Sequence, residues 1–243
     1  MKLLIVRHAD PDYSIDSLTP TGWEEAELLS RRMETLDVKA FYVSPLGRAR
    51  DTANVTLRRM GREAQVLDWL REFPVIGVSK PNAQDDGVAW DWLPQDWLAE
   101  PNFFTRDRWT DHPAFRDTNV TDRWEQVTRG LDELLAQHGY LRRGDYYQPL
   151  QANEDTIVLF CHFGLECVLL SHLLHISPML LWHGTCAAPS SVTTLTTEER
   201  RKGIAHFRMN AFGDISHLYC AGREPSFHAR FCETFDNPEQ RHD

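Results

Sequence analysis

The amino-terminal residues 2–11 read KLLIVRHADP, a short apolar run followed at once by an Arg-His pair. A brief apolar run bounded by polar and turn residues is typical of a buried parallel strand. Ligand sites in open α/β sheets lie outside the carboxyl ends of the strands. Arg7 and His8 stand at such an end. On this stretch alone, a buried strand that happens to end in Arg-His is the favoured interpretation.

Two later apolar runs deliver the same residue types. Residues 40–45 (AFYVSP) lead into a helix-like segment that carries Arg48, and residues 155–161 (DTIVLFC) end directly before His162. Parallel neighbours would bring their carboxyl ends together, so Arg7, His8, Arg48 and His162 are predicted to share one pocket. Two guanidinium groups beside two imidazoles suit a tetrahedral dianion such as phosphate.

The ordered set of motifs resembles the histidine phosphatase superfamily, in its phosphoglycerate-mutase-like branch. The matching pieces, in family order, are residues 4–9 (LIVRHA), 18–22 (LTPTG), 25–26 (EA), 44–49 (SPLGRA), 70–72 (LRE), 162–164 (HFG) and 190–193 (SSVT). The resemblance implies an α/β protein, a three-layer α/β/α fold with a mostly parallel central sheet. An insertion at about residues 73–122 is expected to form a helical cap.

The resemblance also implies roles for individual residues. His8 is expected to be the nucleophile that forms a phosphohistidine. Arg7 and Arg48 are expected to bind the phosphate, and His162 is expected to serve both catalysis and phosphate binding. Glu72 matches the family's general acid. No metal and no cofactor is expected, because Arg and His supply the positive charge.

Departures from the family pattern bear on the activity. Ala9 stands where the family usually has Gly, which narrows the backbone conformations beside the nucleophile. The Glu-Arg-x-Tyr-Gly stretch of the mutases is absent after Glu72, where residues 73–77 read FPVIG. The absence of that stretch favours a phosphatase acting on a small phosphomonoester. A phosphoglycerate-type mutase and a non-catalytic phospho-ligand-binding protein are the alternatives. His183 and Asp10 are candidates for the pocket rim.

Composition narrows the remaining classes. The 243 residues suit a single domain, with a cap insertion at about 73–122 that is rich in Trp and Pro. A net charge of -10 argues against nucleic acid and anionic membrane as partners. Five cysteines without a Cys-x-x-Cys pair favour a reducing compartment, and no signal peptide or membrane span is recognisable, so a cytoplasmic enzyme is expected. A homodimer is the base-rate expectation.

The rest of the chain can be divided by pattern. Helices are expected at 19–36, 46–60, 122–138 and 164–175, and strands at 66–72, 190–195 and 204–210. Residues 141–154 are expected to be a polar loop, and the tail, with Phe every fourth residue from 227 to 235, a short docking or dimer helix.

Several side chains keep two interpretations. The Trp residues of the cap form its core or, for a few, line the substrate entrance. His172 and His175 are core or interface histidines in preference to a metal pair, because a third ligand with suitable spacing is lacking. Arg50 is read as a surface residue. Arg106, Arg108 and Arg116 are the cap's candidates for contacts with an oxyanion.

Overall fold

The predicted amino-terminal strand lies inside an eight-stranded sheet. The computed structural model describes residues 1–73, 75–81, 87–228 and 230–240. Within these ranges the strands are β1 (Lys2–Arg7), β2 (Pro11–Asp12), β3 (Ser17–Leu18), β4 (Ala40–Val43), β5 (Ala64–Val66), β6 (Tyr140–Arg143), β7 (Tyr146–Pro149), β8 (Thr156–Cys161), β9 (Val192–Arg201) and β10 (Ile204–Asp214).

Helices cover both faces of this sheet. In the described ranges they are α1 (Pro20–Met33), α2 (Gly47–Met60), α3 (Pro94–Trp97), α4 (Val120–Gln137), α5 (Phe163–Leu174), α6 (Pro178–Gly184) and α7 (Ser216–Tyr219). The predicted start of α1 is confirmed, because the Thr19 side chain accepts a hydrogen bond from the Gly22 amide and Pro20 occupies the first turn. Across the described residues, none of the helices combines the length and apolar character needed to cross a membrane.

The strand order places the predicted site residues side by side. The sheet runs β5-β4-β8-β1-β9-β10-β7-β6, and the first four strands are parallel. Arg7 pairs in register with Cys161, and Val43 with Phe160, so β1, β4 and β8 end at one level. The remaining four strands are antiparallel and extend one side. The α/β fold class is therefore confirmed, with the site on the parallel part of a mixed sheet.

Alternate residues of the central strands feed two hydrophobic layers. Leu4 and Val6 of β1 pack with α1 and α2, while Leu3 and Ile5 belong to the larger core on the opposite face. Each of these four side chains is buried. This alternation explains why the strands read as continuous apolar runs.

The strand predicted at 66–72 is wrong beyond its first residue. Strand β5 ends at Val66, and a 3₁₀ turn spans Asp68–Leu70. Val66 is half exposed at the sheet edge, so little packing favours a longer strand. The turn instead buries Leu70 in the main core and sets Trp69 against Gly130 of α4.

The polar loop predicted at 141–154 is also wrong, because β6 and β7 form a hairpin there. Gly144 supplies the positive φ of 60° that the turn requires. The buried Tyr147 ring packs against Phe207 of β10, and Tyr147 pairs with Ala205 in the sheet. Two aromatic side chains facing the core, Tyr140 and Tyr147, thus outweigh the polar composition.

The Trp-rich segment contains the expected short helices. It comprises α3 and the 3₁₀ turns Pro101–Phe104, Trp109–Asp111 and Pro113–Phe115, while Pro74 and residues 82–86 of the predicted cap lie outside the described residues. Trp92 and Trp109 are buried in the same hydrophobic cluster as the sheet. Most of the aromatic surface is therefore core, as the sequence favoured.

The helix predicted in the tail is not observed in the described residues after Cys220, where turns and extended segments run to Gln240. Phe231 and Phe235 are exposed. Because these side chains are exposed, burial of an apolar face does not stabilise a helix there. The Ser226 amide instead donates to the Glu25 carboxylate, 3.1 Å away.

Candidate active site

His8 lies at the bottom of the crevice formed by the ends of β1 and β8. Its ring is almost fully buried, and Nδ1 is 2.8 Å from the carbonyl oxygen of Ala9. A carbonyl oxygen only accepts, so Nδ1 carries the proton and Nε2 keeps its lone pair. The Ala9 amide donates to the Thr52 hydroxyl, which fixes the loop behind the ring. His8 is thus held in the tautomer that a nucleophile needs.

Arg7 is buried beside this imidazole. Its Nη1 donates to the Ala187 carbonyl at 2.6 Å, and its Nη2 to the His228 carbonyl at 3.2 Å. The guanidinium also lies over the Phe163 ring, 5.7 Å from its centroid. Nε has no partner among the described residues. The guanidinium is therefore fixed by protein carbonyls while one buried donor is unpaired.

Arg48 enters from the first turn of α2, as predicted. Its Nη1 donates to the Asp16 carboxylate at 2.6 Å, and the same carboxylate accepts from the Gly47 amide at 2.7 Å. Partial burial raises the pKa of Asp16, but the hydrogen bonds from Gly47 and Arg48 outweigh burial and lower it. The Nε of Arg48 is buried and unpaired within the described part of the chain.

His162 caps the amino terminus of α5 and faces His8, with ring centroids 5.2 Å apart. Its Nε2 is 2.8 Å from the Ser44 hydroxyl oxygen, and its buried Nδ1 has no partner in the described ranges. Burial, then the neighbouring His8, Arg48 and Arg7, hold the pKa of His162 well below its ordinary value. Without a bound anion, this imidazole is neutral.

Burial and neighbouring positive charge also act on the pKa of His8. Burial is the larger, and the Arg7 guanidinium adds to it, so the pKa of His8 is well below its ordinary value. The hydrogen bond to Ala9 opposes the shift but does not cancel it. His8 is consequently unprotonated and available as a nucleophile near neutral pH.

Glu72 follows the 3₁₀ turn and reaches the start of α5. Its Oε1 accepts from the Phe73 amide at 2.8 Å and the Leu165 amide at 2.9 Å, and Oε2 from Gly164 at 3.4 Å. Burial raises the pKa of this carboxyl, and the two closer amides and the guanidinium groups only partly offset it. A carboxyl with a raised pKa at the pocket is suited to donate a proton.

Glu166 is a second buried carboxyl near the site that sequence reasoning missed. It lies in the first turn of α5, bonded to the Thr193 hydroxyl, with Oε1 unpaired among the described residues. Burial raises its pKa to about 7, although Thr193 and Arg7 oppose the change. Its position in a helix that is apolar on all sides, between Leu165 and Cys167, was the available signal.

Asp10 lies at the edge of the site, as the sequence suggested, but it is buried and bonded. Its Oδ2 accepts from the Thr19 hydroxyl at 2.5 Å and its Oδ1 pairs with Nδ1 of His228 at 2.8 Å. His228 belongs to the tail, which sequence reasoning did not connect with the site. No pattern in residues 220–243 indicated that contact.

The structure does not place His183 at the rim. Both ring nitrogens are occupied, Nδ1 by the Met179 carbonyl and Nε2 by the Trp92 amide, and the ring stacks on Trp97. This histidine therefore joins α6 to the Trp-rich segment, which is a packing role.

The cap arginines also lie in other contacts. Arg106 pairs with Asp107 and Asp145 and contacts His175, Arg108 pairs with Asp111, and Arg116 is exposed. Asp107 and, from the β6–β7 hairpin, Asp145 therefore hold Arg106, and Asp111 holds Arg108. Their contacts with an oxyanion stay a prediction.

The histidine pair on α5 and the predicted surface Arg are accounted for by ordinary contacts. His172 bonds to Asp132 at 3.0 Å, and His175 to the Asp145 carbonyl at 2.9 Å. Arg50 is exposed, as expected. Over the described residues, no three His, Cys, Asp or Glu side chains come together as metal ligands would.

Comparison with known proteins finds a family match over most of the chain. The family model described as histidine phosphatase superfamily, branch 1, matches residues 3–210. A probable phosphatase of Schizosaccharomyces pombe is 23% identical over 234 residues, covering 90% of this chain and 95% of the relative.

Solved structures share the fold at low identity. A mutant phosphoserine phosphatase from Entamoeba histolytica in complex with phosphoserine has a TM-score of 0.57 and 18% identity, covering 89% of this chain and 98% of that one. A mycobacterial glucosyl-3-phosphoglycerate phosphatase in complex with VO3 has a TM-score of 0.56 and 20% identity, covering 87% and 98%.

Proposed function

Because the chain belongs to branch 1 of the histidine phosphatase superfamily, we propose that it hydrolyses a small phosphomonoester through a phosphohistidine on His8. The observation that carries this proposal is a set of three buried nitrogens, Arg7 Nε, Arg48 Nε and His162 Nδ1. None has a partner among the described residues. Buried donors are normally paired, and a phosphoryl group supplies the oxygens that they lack.

The first step transfers the phosphoryl group to the enzyme. Nε2 of His8 attacks phosphorus and forms the N–P bond, while the bond from phosphorus to the ester oxygen breaks. Glu72, whose pKa is raised by burial, gives a proton to the leaving oxygen. The guanidinium groups of Arg7 and Arg48 offset the charge that spreads over the equatorial oxygens.

The second step returns the free enzyme. The carboxylate of Glu72 accepts a proton from water, the water oxygen attacks phosphorus, and the N–P bond breaks to release phosphate. His162 is neutral without an anion, and a bound phosphoryl dianion raises its pKa again by placing negative charge beside it. In this proposal His162 becomes a charged donor only when the substrate is bound.

The proposed route needs no metal or cofactor, since two guanidinium groups and an imidazole provide the positive charge. Phosphatase activity is favoured over mutase activity because the mutase stretch after Glu72 is absent. We further propose that the Trp-rich segment acts as the cap over the pocket. Trp90 supports this role, because its ring lies next to Gly164 and Glu72.

The cellular location, the partners and the oligomeric state are also part of the proposal. No disulfide joins the cysteines in the described part of the chain, which is consistent with a reducing, cytoplasmic location. A small phosphorylated substrate is the expected partner, nucleic acid and membrane are not, and a homodimer stays a prediction. Cell fractionation and light scattering address the location and the dimer.

Hydrolysis of 4-nitrophenyl phosphate in the presence of a chelator tests the proposed function. We expect the wild-type chain to turn over with the chelator present, and His8→Ala to lose at least about a thousandfold in kcat, because the substitution removes the nitrogen that bonds to phosphorus in the proposed intermediate. The exposed variant Arg50→Ala serves as control. Turnover that survives His8→Ala contradicts the phosphohistidine route.

A further inference from the structure

The carboxy-terminal tail returns to the phosphate pocket. The family model ends at residue 210, so the tail lies outside the matched part of the chain. The tail nevertheless contacts Arg7 directly, since the His228 carbonyl oxygen accepts from Nη2 at 3.2 Å. Together with the Ala187 carbonyl on Nη1, it holds the guanidinium at both ends.

Two carboxylates anchor the tail to the loop that follows His8. Oδ1 of Asp10 is 2.8 Å from Nδ1 of His228, and the Asp10 side chain is only 9% exposed. Glu25 bridges the same two segments, because Oε2 accepts from the Asp10 amide at 2.8 Å and Oε1 from the Ser226 amide at 3.1 Å. Both contacts therefore involve Asp10, two residues after His8. Its side chain binds His228, and its amide binds Glu25.

A further contact closes this side of the pocket. The Tyr13 ring meets the His228 ring edge-on at 6.0 Å, and the guanidinium of Arg48 lies over the Tyr13 ring at 5.2 Å. His228 is also near enough to His8 to contribute to the lowered pKa of the His8 imidazole. The tail thus connects the two phosphate-binding arginines from the solvent side.

We propose that His228 is a positioning residue for phosphate binding. Its imidazole anchors the tail on Asp10, and its carbonyl then fixes the Arg7 guanidinium in the orientation that clamps the phosphoryl group. The inference rests on the proposed function for the meaning of Arg7. It adds that the affinity for phosphate depends on a segment outside the family-matched region.

Full-length variants separate the ring from the backbone. His228→Ala removes the anchor, while His228→Asn keeps a donor for Asp10. Ser226→Pro removes the amide that Glu25 binds, and Ser226→Ala keeps it; the Ser226 hydroxyl has no partner among the described residues, so Ala loses no observed bond. Phe231→Ala, at an exposed tail position, controls for changes in the tail itself.

The readouts are the Kd for inorganic phosphate and the kcat and KM for an aryl phosphate. We expect His228→Ala and Ser226→Pro to weaken phosphate binding and lower kcat/KM about tenfold each, with unchanged thermal unfolding. His228→Asn, Ser226→Ala and Phe231→Ala should stay within about twofold of wild type, because a tenfold change corresponds to the loss of one well-placed contact.

A double-mutant cycle tests the pairing. If Asp10 acts through His228, Asp10→Asn weakens phosphate binding in the wild-type background but adds little to His228→Ala. Unchanged phosphate affinity in both His228→Ala and Ser226→Pro overturns the inference, and so does a fall in thermal stability with no change in affinity. A chain that binds phosphate through the tail but hydrolyses no ester contradicts the proposed function and leaves this inference standing.

Discussion

At the scale of the residue, the chemistry depends on which nitrogen of His8 carries the proton. The Ala9 carbonyl accepts from Nδ1, and burial with the Arg7 guanidinium lowers the pKa of the ring. Both effects leave Nε2 unprotonated. In the proposed mechanism, one backbone carbonyl and one neighbouring cation thus prepare the nucleophile, without a separate general base.

Glu166 provides a test of these electrostatics through stability. Its pKa of about 7 in the folded chain exceeds the ordinary 4.5. Between these values the folded state binds more protons than the unfolded state, so the free energy of unfolding falls as pH rises. Ionising this buried carboxyl costs about 3 kcal/mol at high pH, since each pKa unit is worth about 1.4 kcal/mol.

Glu166→Gln removes that cost. We expect the free energy of unfolding of the variant, relative to wild type, to be about 2 kcal/mol higher at pH 8 than at pH 5. Urea denaturation at the two pH values measures it, with the exposed Glu63→Gln as control. An equal difference at both pH values would show that Glu166 titrates normally.

Sequence reasoning found the residues that end strands and missed those that support them. Arg7, His8 and His162 could be predicted because parallel strands bring their ends together, and the register of β1 with β8 has that effect. Asp16 and Glu166 were missed, because their roles depend on distances across the fold. Nothing local distinguishes Asp16 from other loop carboxylates.

At the scale of the element, the amino terminus of α5 orients the carboxyl group of Glu72. Its first amides donate to Glu72, and an amide environment of this kind lowers a carboxyl pKa. Burial has the larger effect here, so the pKa of Glu72 is raised. The helix therefore orients Glu72, while burial favours the protonated form of its carboxyl.

Gly164 is the residue that lets the carboxyl approach. A Cβ at this position would lie 2.7 Å from Oε1 of Glu72 and 2.5 Å from the Trp90 ring. Gly164→Ala is therefore expected to displace Glu72 and lower kcat about tenfold or more, although Ala favours helix formation. Steady-state kinetics with 4-nitrophenyl phosphate measures this, and circular dichroism checks the fold.

Gly184→Ala in α6 is the matched control, because a Cβ there meets nothing within 4 Å. We expect its kcat to equal that of wild type. If Gly164→Ala and Gly184→Ala have the same kcat, the close approach at α5 has no role in catalysis.

Element boundaries show where local patterns lose to packing. The run from Val66 to Glu72 has strand composition, yet it turns after Val66 because Leu70 gains burial. Residues 140–149 are polar on one side and form a hairpin because Tyr140 and Tyr147 face the core. In both cases tertiary burial decides the element, and a single sequence contains no direct record of it.

At the scale of the whole molecule, the parallel half of the sheet carries the chemistry and the additions surround it. The Trp-rich segment shares the main hydrophobic core, and the tail reaches Arg7. The general fold and the pocket were predictable from the ordered motifs. The route of the tail was not, because it depends on the single contacts of Asp10 and Glu25 with residues more than 200 positions away.

The central claim is that Nε2 of His8 carries the phosphoryl group, and trapping that intermediate tests it most directly. In Glu72→Gln the step that needs the base slows, while 4-nitrophenolate leaves without an acid, so phosphoenzyme should accumulate. After rapid quenching at alkaline pH, peptide mass spectrometry should find one phosphoryl group on His8 of this variant and none in the double variant with His8→Ala. Turnover by wild type together with no trapped phosphoryl group, or with the label on another residue, would contradict the account.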